Sequence, residues 1–256
     1  LAANDISAAC GILNGTTNFI LTKMYADGMT FEDALKLAQE LGYAEKDPTA
    51  DVEGHDACRK ICIISSLVFG KHVYPNSVYT KGISDVKLCD VAAADVLGYA
   101  VKLIASVKRL DNGKILPTVM PMLVPHESIM AGVSDVFNAV MEYAAGIDKA
   151  MFYGRGAGKL PTASAVLGDV IEAVKHKVTV FSQTWESSTD TSFIASVDDM
   201  KAKWYFSVPA DTADLPEGTY TDYDKSSFVT EDELSFKEAE EKAKAEAEAA
   251  AKEAQK

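Results

Sequence analysis

The 256 residues are 48% hydrophobic and carry a formal net charge of −13. That length supports one substantial core plus a smaller unit, and the charge argues against nucleic-acid backbones and anionic membrane surfaces as partners. No apolar run approaches the ~20 residues that span a bilayer, and Cys10, Cys58, Cys62 and Cys89 show no disulfide-like spacing, so a cytoplasmic, reducing location is expected.

The chain begins at Leu1 with no signal-peptide pattern, and is expected to be part of a longer or processed protein. Asn14-Gly15 is a turn signal ahead of a helical face formed by Phe19, Ile20 and Met24. Thr30 and Asp33 have capping-box spacing, Phe31, Ala34, Leu35, Ala38 and Leu41 recur at helical intervals, and Gly42 supplies the stop. After an acidic loop, a helix is predicted from about His55 to Phe69, ending at Gly70, and another over 90–103. VKLIASVKRL, a turn at Asp111-Asn112-Gly113 and KILPTVMPMLV then read as a β-hairpin, with SDVFNAVMEYAAG and KAMFYG as further strands.

GRGAGKLPT leads into a helix over TASAVLGDVIEAV, with Pro161 in its first turn. This uneven alternation predicts an α+β fold: a mixed, largely antiparallel sheet with helices packed on one face, plus a polar C-terminal extension. SQTWESSTDTS, from residue 182, reads as a linker and KWYFSV (203–208) as a short β-like piece. The Ala/Glu/Lys-rich tail from Glu231 lacks a coiled-coil seam and reads as a free-standing helix or a disordered segment. The domain reading is therefore 1–181, 182–230 and 231–256.

The stretch AEKDPTADVEGHDACRK, residues 44–60, concentrates charge just before the oily ICIISSLVF. At 100° per residue, Ala57, Ile63, Ile64, Leu67 and Val68 form an apolar stripe that contains Lys60, with Asp56 one turn earlier. Arg59, Cys58, Cys62, Ser65 and Ser66 fall opposite. A solvated Asp–Lys pair contributes a few tenths of a kcal/mol. A lysine among apolar neighbours is costly unless paired, and desolvation against a carboxylate tunes it for proton transfer. Glu45 and Asp51 can converge on the same pocket, where acids suit a substrate ammonium or hydroxyl. A Ca²⁺ or Mg²⁺ loop would use the same side chains, but the spacing is not that of an EF-hand.

Asp47-Pro48 and Glu53-Gly54 read as turn chemistry. His55, Cys58 and Cys62 share one helical face without a paired CxxC, so they read as ordinary helix residues and no metal site is assigned. The GRGAGK loop, 154–159, has GxGxG rather than dinucleotide GxGxxG spacing, and by motif alone is a tight glycine turn.

GILNGTTNFILTKM (11–24), LAQELGYAEKDPTADVEGHDACRK (37–60), KGISDV (81–86) and GRGAGKLPTASAV (154–166) together resemble the homoserine dehydrogenase family, in the family's order, across residues 1–180. The resemblance implies the catalytic part that follows a nucleotide-binding domain. It also implies the reversible, NAD- or NADP-dependent interconversion of L-homoserine and L-aspartate 4-semialdehyde, on the route to threonine, methionine and isoleucine. It places the catalytic lysine on Lys60 and its acidic partner on Asp56, with substrate-binding positions at Gly15, Thr16, Tyr43, Glu45 and Asp51. Gly154, Gly156 and Gly158 would lie beside the nicotinamide end of the cofactor.

A homodimer through the 101–153 strands is implied, as is a sodium ion whose ligands belong to a family segment not found in these residues. The GxGxxG strand–turn–helix is likewise not found, so this chain alone is expected to bind cofactor weakly or not at all and to be inactive, and cofactor preference is not readable from it. KWYFSVPADTADLPEG is similar to an ACT-domain first strand and turn, a pattern the following residues do not sustain. The alternatives are a non-catalytic oligomerisation or regulatory module on the same scaffold, and an acidic divalent-metal binder.

Overall fold

The computed structural model describes residues 3–176 and 185–207, together with 227–229, 234–235 and 245. Six strands, Ile6–Ile12 (β1), Tyr79–Thr80 (β2), Tyr99–Arg109 (β3), Ile115–Pro125 (β4), Phe137–Ala144 (β5) and Asp148–Arg155 (β6), form one sheet in the order β2-β4-β3-β1-β5-β6. β2 runs parallel to β4, and all other neighbours are antiparallel. The helices are Gly15–Asp27 (α1), Phe31–Glu40 (α2), Thr49–Val52 (α3), His55–Phe69 (α4), Leu88–Val96 (α5) and Lys159–Lys175 (α6). The α+β expectation holds, with its mixed and mainly antiparallel sheet.

Alternation along the strands divides the apolar residues between the two faces of the sheet. Val101, Leu103, Ala105 and Val107 of β3 join Phe19, Ile20 and Met24 of α1, Ala57 and Ile61 of α4, and Val91 and Ala94 of α5 in the larger core. Ile104 points the other way, to Ile12, Val124, Ala139 and Met141, with Met130 and Val133 from the β4–β5 loop. Each fully buried aliphatic side chain contributes about 1.5–3 kcal/mol, so the helix-bearing face dominates stability. None of the helices in the described residues is long and apolar enough to cross a membrane.

Local signals are met where they were strongest. Thr30 accepts from Asp33 N at 3.2 Å to open α2, and β3 and β4 pair from Arg109↔Ile115 outward around the Asn112-Gly113 turn. The helix predicted over 90–103 instead ends at Val96, and β3 begins at Tyr99. Gly98 lies between them at φ 83°, a left-handed conformation that stops a helix and that only glycine adopts freely. β1 was not anticipated: ISAACGI is short on large β-formers, because it is a central strand pressed between β3 and β5.

The face of α4 is the main correction. Its buried residues are Ala57, Cys58, Ile61, Cys62, Ser65 and Ser66, while Ile63 and Leu67 are 53% and 51% exposed. Small side chains bring the helix axis close to the sheet, and the bulkier Ile63 and Leu67 are turned outward with Lys60.

Residues 185–195, within the stretch read as a linker, are bonded to the body. Trp185 Nε1 donates to His72 Nδ1 at 3.2 Å, Glu186 N donates to Gly70 O at 2.8 Å, and Ala195 N donates to Ile115 O at 2.8 Å. Within KWYFSV, Tyr205–Ser207 forms a strand paired with Ser227–Val229. Most of the ACT-like stretch and nearly all of the 231–256 tail lie outside the described residues.

Candidate active site

The site is built where the N-terminus of α1 meets the first turn of α4. Asn14 caps α1: its Oδ1 accepts from Thr17 N at 2.9 Å. That leaves its amide nitrogen, which donates to Asp51 Oδ1 at 2.7 Å and to Asp56 Oδ2 at 2.9 Å. Asn14 is 6% exposed, so both its donors and its acceptor are committed inside the protein.

Lys60 Nζ donates to Asp56 Oδ2 at 2.6 Å and to the Leu13 carbonyl oxygen at 2.9 Å. An ammonium has three donors, so among the described residues one is left without a hydrogen-bond partner. The Lys60 and Asp56 side chains are 46% and 26% exposed. A partly solvated pair of this kind contributes about 0–1 kcal/mol to stability.

Burial of Asp56 opposes its ionisation, but hydrogen bonds from Lys60 and Asn14 and the charges of Lys60 and Arg59 together outweigh it and hold the carboxyl below its ordinary range. A depressed folded-state pKa stabilises the fold above the unfolded pKa and is lost as pH falls through the folded value. The urea midpoint should therefore fall more steeply below about pH 5 in the wild type than in Asp56→Asn. Parallel pH profiles for the two proteins would refute this coupling.

The remaining candidates fall around this pair. Asp51, on α3, reaches it through Asn14. Gly15 opens α1 so close to the residue before β5 that a Cβ there would stand 2.9 Å from Val136 O. Thr16 Oγ1 donates to Tyr43 O at 2.7 Å, and the Tyr43 ring meets Phe19 edge-on at 5.1 Å, which ties the loop after α2 to α1. Glu45 lies on that loop; among the described residues its carboxylate stands outside the network, and its backbone oxygen accepts from Gln39 Nε2 at 3.1 Å.

The glycine loop connects to Lys60 through a residue that sequence reasoning passed over. Gly156 packs so tightly on the Asn138 amide that a Cβ would overlap it. Asn138 Nδ2 donates at 3.2 Å to Leu13 O, the same oxygen that accepts from Lys60. Gly154 lies opposite Asn138 in the β5–β6 register, and Gly158 caps α6. An asparagine inside the apolar run FNAV was the available signal, since strands disfavour it without a polar task. In the sequence Asn14 shows only as part of a turn.

An ammonium held between a carboxylate and a backbone carbonyl, with a glycine loop linked to the same oxygen, is an arrangement that can exchange a proton with a ligand. The homoserine dehydrogenase family profile matches residues 1–171, and the chain belongs to that family. It is 47% identical to homoserine dehydrogenase of Corynebacterium glutamicum over 182 residues, which cover 70% of this chain and 41% of that protein. With the Lactococcus lactis homoserine dehydrogenase it shares 36% identity over 238 residues, 93% of this chain and 54% of the relative. The chain thus spans about half the length of these curated relatives.

Among solved structures, the Thiobacillus denitrificans homoserine dehydrogenase aligns with a TM-score of 0.81 at 32% identity, covering 97% of this chain and 62% of that one. A hyperthermophilic archaeal homoserine dehydrogenase mutant, solved in complex with NADPH, aligns with a TM-score of 0.57 at 31% identity, covering 68% and 49%.

Proposed function

We propose that this chain carries the substrate site and proton-transfer group for NAD(P)-dependent interconversion of L-homoserine and L-aspartate 4-semialdehyde, a step toward threonine, methionine and isoleucine. The observation that carries the reading is the Lys60 ammonium, fixed by Asp56 and Leu13 O with one donor unspent among the described residues. In the reducing direction Lys60 protonates the aldehyde oxygen, and in the oxidising direction it takes the proton back from the hydroxyl. Asp56 keeps the ammonium oriented between turnovers. Asp51, whose Oδ1 is held by Asn14, receives the substrate ammonium together with Glu45 from the neighbouring loop.

A nicotinamide cofactor, when bound, supplies or takes up the hydride. The residues present suit such a group: no atom lies within 4 Å of where a Cβ would stand on Gly154, which leaves open space there, and Gly156 packs closely on Asn138. Gly154, Gly156 and Gly158 would border the nicotinamide ring, while a nucleotide-binding domain would hold the rest, including the part that decides between NAD and NADP.

Two apolar surfaces support an assembly larger than this chain. α6 has no buried residue, and its Leu160, Leu167 and Val174 are 79%, 62% and 65% exposed; that face suits the nucleotide-binding domain. Phe152, 58% exposed on the edge strand β6, suits a homodimer formed through the sheet.

The chain joined to a relative's nucleotide-binding domain should form NADH or NADPH from homoserine, whereas the 256 residues alone should not. A folded fusion with no homoserine-dependent turnover would overturn the proposal, and hydride transfer by the isolated chain would overturn the need for the second domain.

A further inference from the structure

Two carboxylates and one ammonium converge on a single neutral amide. Asn14 Nδ2 donates to Asp51 Oδ1 at 2.7 Å and to Asp56 Oδ2 at 2.9 Å, and Lys60 Nζ donates to that same Asp56 oxygen at 2.6 Å. Chemistry fixes which way the amide faces. Its oxygen accepts from Thr17 N at 2.9 Å and from Thr17 Oγ1 at 3.1 Å, and a backbone N–H can only donate. The nitrogen therefore faces the two carboxylates, which can only accept. Asn14 and Thr17 are both buried, so the amide is shut off from bulk water.

Lys60 neutralises one of the two acids, and among the described residues Asp51 forms no salt bridge, so one negative charge is left over. Both acid oxygens lie within hydrogen-bond reach of one nitrogen, so they stand no farther apart than those two bonds laid end to end. Like charges so close repel unless a donor sits between them. A lysine or arginine in that place would cancel the surplus charge, whereas an amide donates without carrying charge. We propose that Asn14 is a positioning residue of the substrate site: it holds Asp51 beside Asp56 as an uncancelled negative charge, and so selects a substrate that brings its own ammonium. This rests on the reading of Asp51 as the group that receives that ammonium.

The same amide acts on the proton-transfer pair. Burial opposes ionisation of Asp56, and hydrogen bonds from Lys60 and then Asn14 are what chiefly outweigh it. The charged groups that face Asp56 are Lys60 and Arg59 from α4 and, across the Asn14 amide, Asp51 from α3. The start of α1 offers Leu13 to Asn18, all uncharged. Losing the amide donor removes a hydrogen bond to the ionised form and leaves Asp51 unscreened, and both changes raise the Asp56 pKa. Asn14 also caps α1, a task the test must separate. Serine keeps a capping oxygen but ends one bond short of the amide nitrogen. Aspartate keeps the cap and the shape while turning the donor into a third acid.

The test compares wild type, Asn14→Ser and Asn14→Asp, each joined to a relative's nucleotide-binding domain. Asn14→Ser should raise KM for homoserine about tenfold and lower kcat only a few-fold. In both variants the acid limb of kcat/KM should move up by about one pH unit. Loss of a helix cap alone would lower the urea midpoint and leave KM and the acid limb in place. In the 256-residue chain, where turnover plays no part, carboxyl NMR titration of Asn14→Ser should show the Asp56 pKa rising by a similar amount. An active wild-type fusion that Asn14→Ser matches in KM and pH profile would reduce Asn14 to a cap and overturn the proposal. A folded but inactive wild-type fusion would remove the substrate reading and the selection that rests on it, whereas an unmoved Asp56 would remove the hold itself. Where Asn14→Ser fails to fold, the wild-type Asn14 amide protons decide. One should shift on Asp51→Asn and the other on Asp56→Asn, and protons insensitive to both would overturn the proposal.

Discussion

Lys60→Ala, in the chain joined to a nucleotide-binding domain, is expected to lower kcat about 10²–10⁴-fold while leaving the unfolding free energy from urea titration within about 1 kcal/mol of wild type. The two parts of this expectation have one structural source. Lys60 is 46% exposed and packs outside the core, so the fold loses little with it. Its ammonium is nevertheless fixed at 2.6 Å from Asp56 and 2.9 Å from Leu13 O, and alanine leaves nothing there to carry a proton.

Lys60→Arg sharpens the test. Arginine keeps the positive charge but does not release its proton in proteins, so it should hold KM for homoserine within a few-fold and still lose most of kcat. Wild-type turnover in Lys60→Ala would remove Lys60 from the chemistry. Retained turnover in Lys60→Arg would make its role electrostatic instead of proton transfer.

What the sequence disclosed follows the range of the forces involved. The start of α2 at Thr30 and the Asn112-Gly113 hairpin depend on neighbours within a few residues, and both were legible. The orientation of α4 was not, because hydrophobicity on a helix does not say which surface will cover it. Ala57, Cys58 and Ser65 are small enough to approach the sheet closely, and Ile63 and Leu67 stay outside with Lys60. The stripe that holds Lys60 is split by the fold, which buries Ala57 and leaves Ile63 and Leu67 exposed. The position of Lys60 is fixed by Leu13 O, 47 residues away in sequence. Asn14 and Asn138 escaped notice for the same reason: their partners Asp51, Asp56 and Leu13 are 37, 42 and 125 residues distant. Such contacts are made by the tertiary fold and leave no local pattern in the sequence.

Gly82→Ala should disturb the site from a distance. Gly82 lies flat on the corner between α3 and α4, where a Cβ would overlap Val52 O and Glu53 Cα. Those atoms are backbone, so no side chain can swing aside. The corner is pinned from both directions, by Ile83 N donating to Val52 O at 2.7 Å and by Lys81 N donating to Val119 O at 2.8 Å. Alanine must therefore push α3 away from β2, and α3 carries Asp51 while α4, which begins two residues after Glu53, carries Asp56 and Lys60. Overpacking of this kind costs about 1–3 kcal/mol, sometimes more, and a displacement near 1 Å at reacting groups can cost about 10²-fold in rate.

The expected result is a lowered urea midpoint together with a raised KM for homoserine and a reduced kcat in the fused enzyme. Gly113→Ala separates these effects, because its φ of 79° strains an alanine in the remote β3–β4 turn where no atom lies within 4 Å of the new Cβ. It should lower stability with KM unchanged. If Gly82→Ala also left KM unchanged, the α3–α4 corner would not be what positions Asp51 against Asp56 and Lys60.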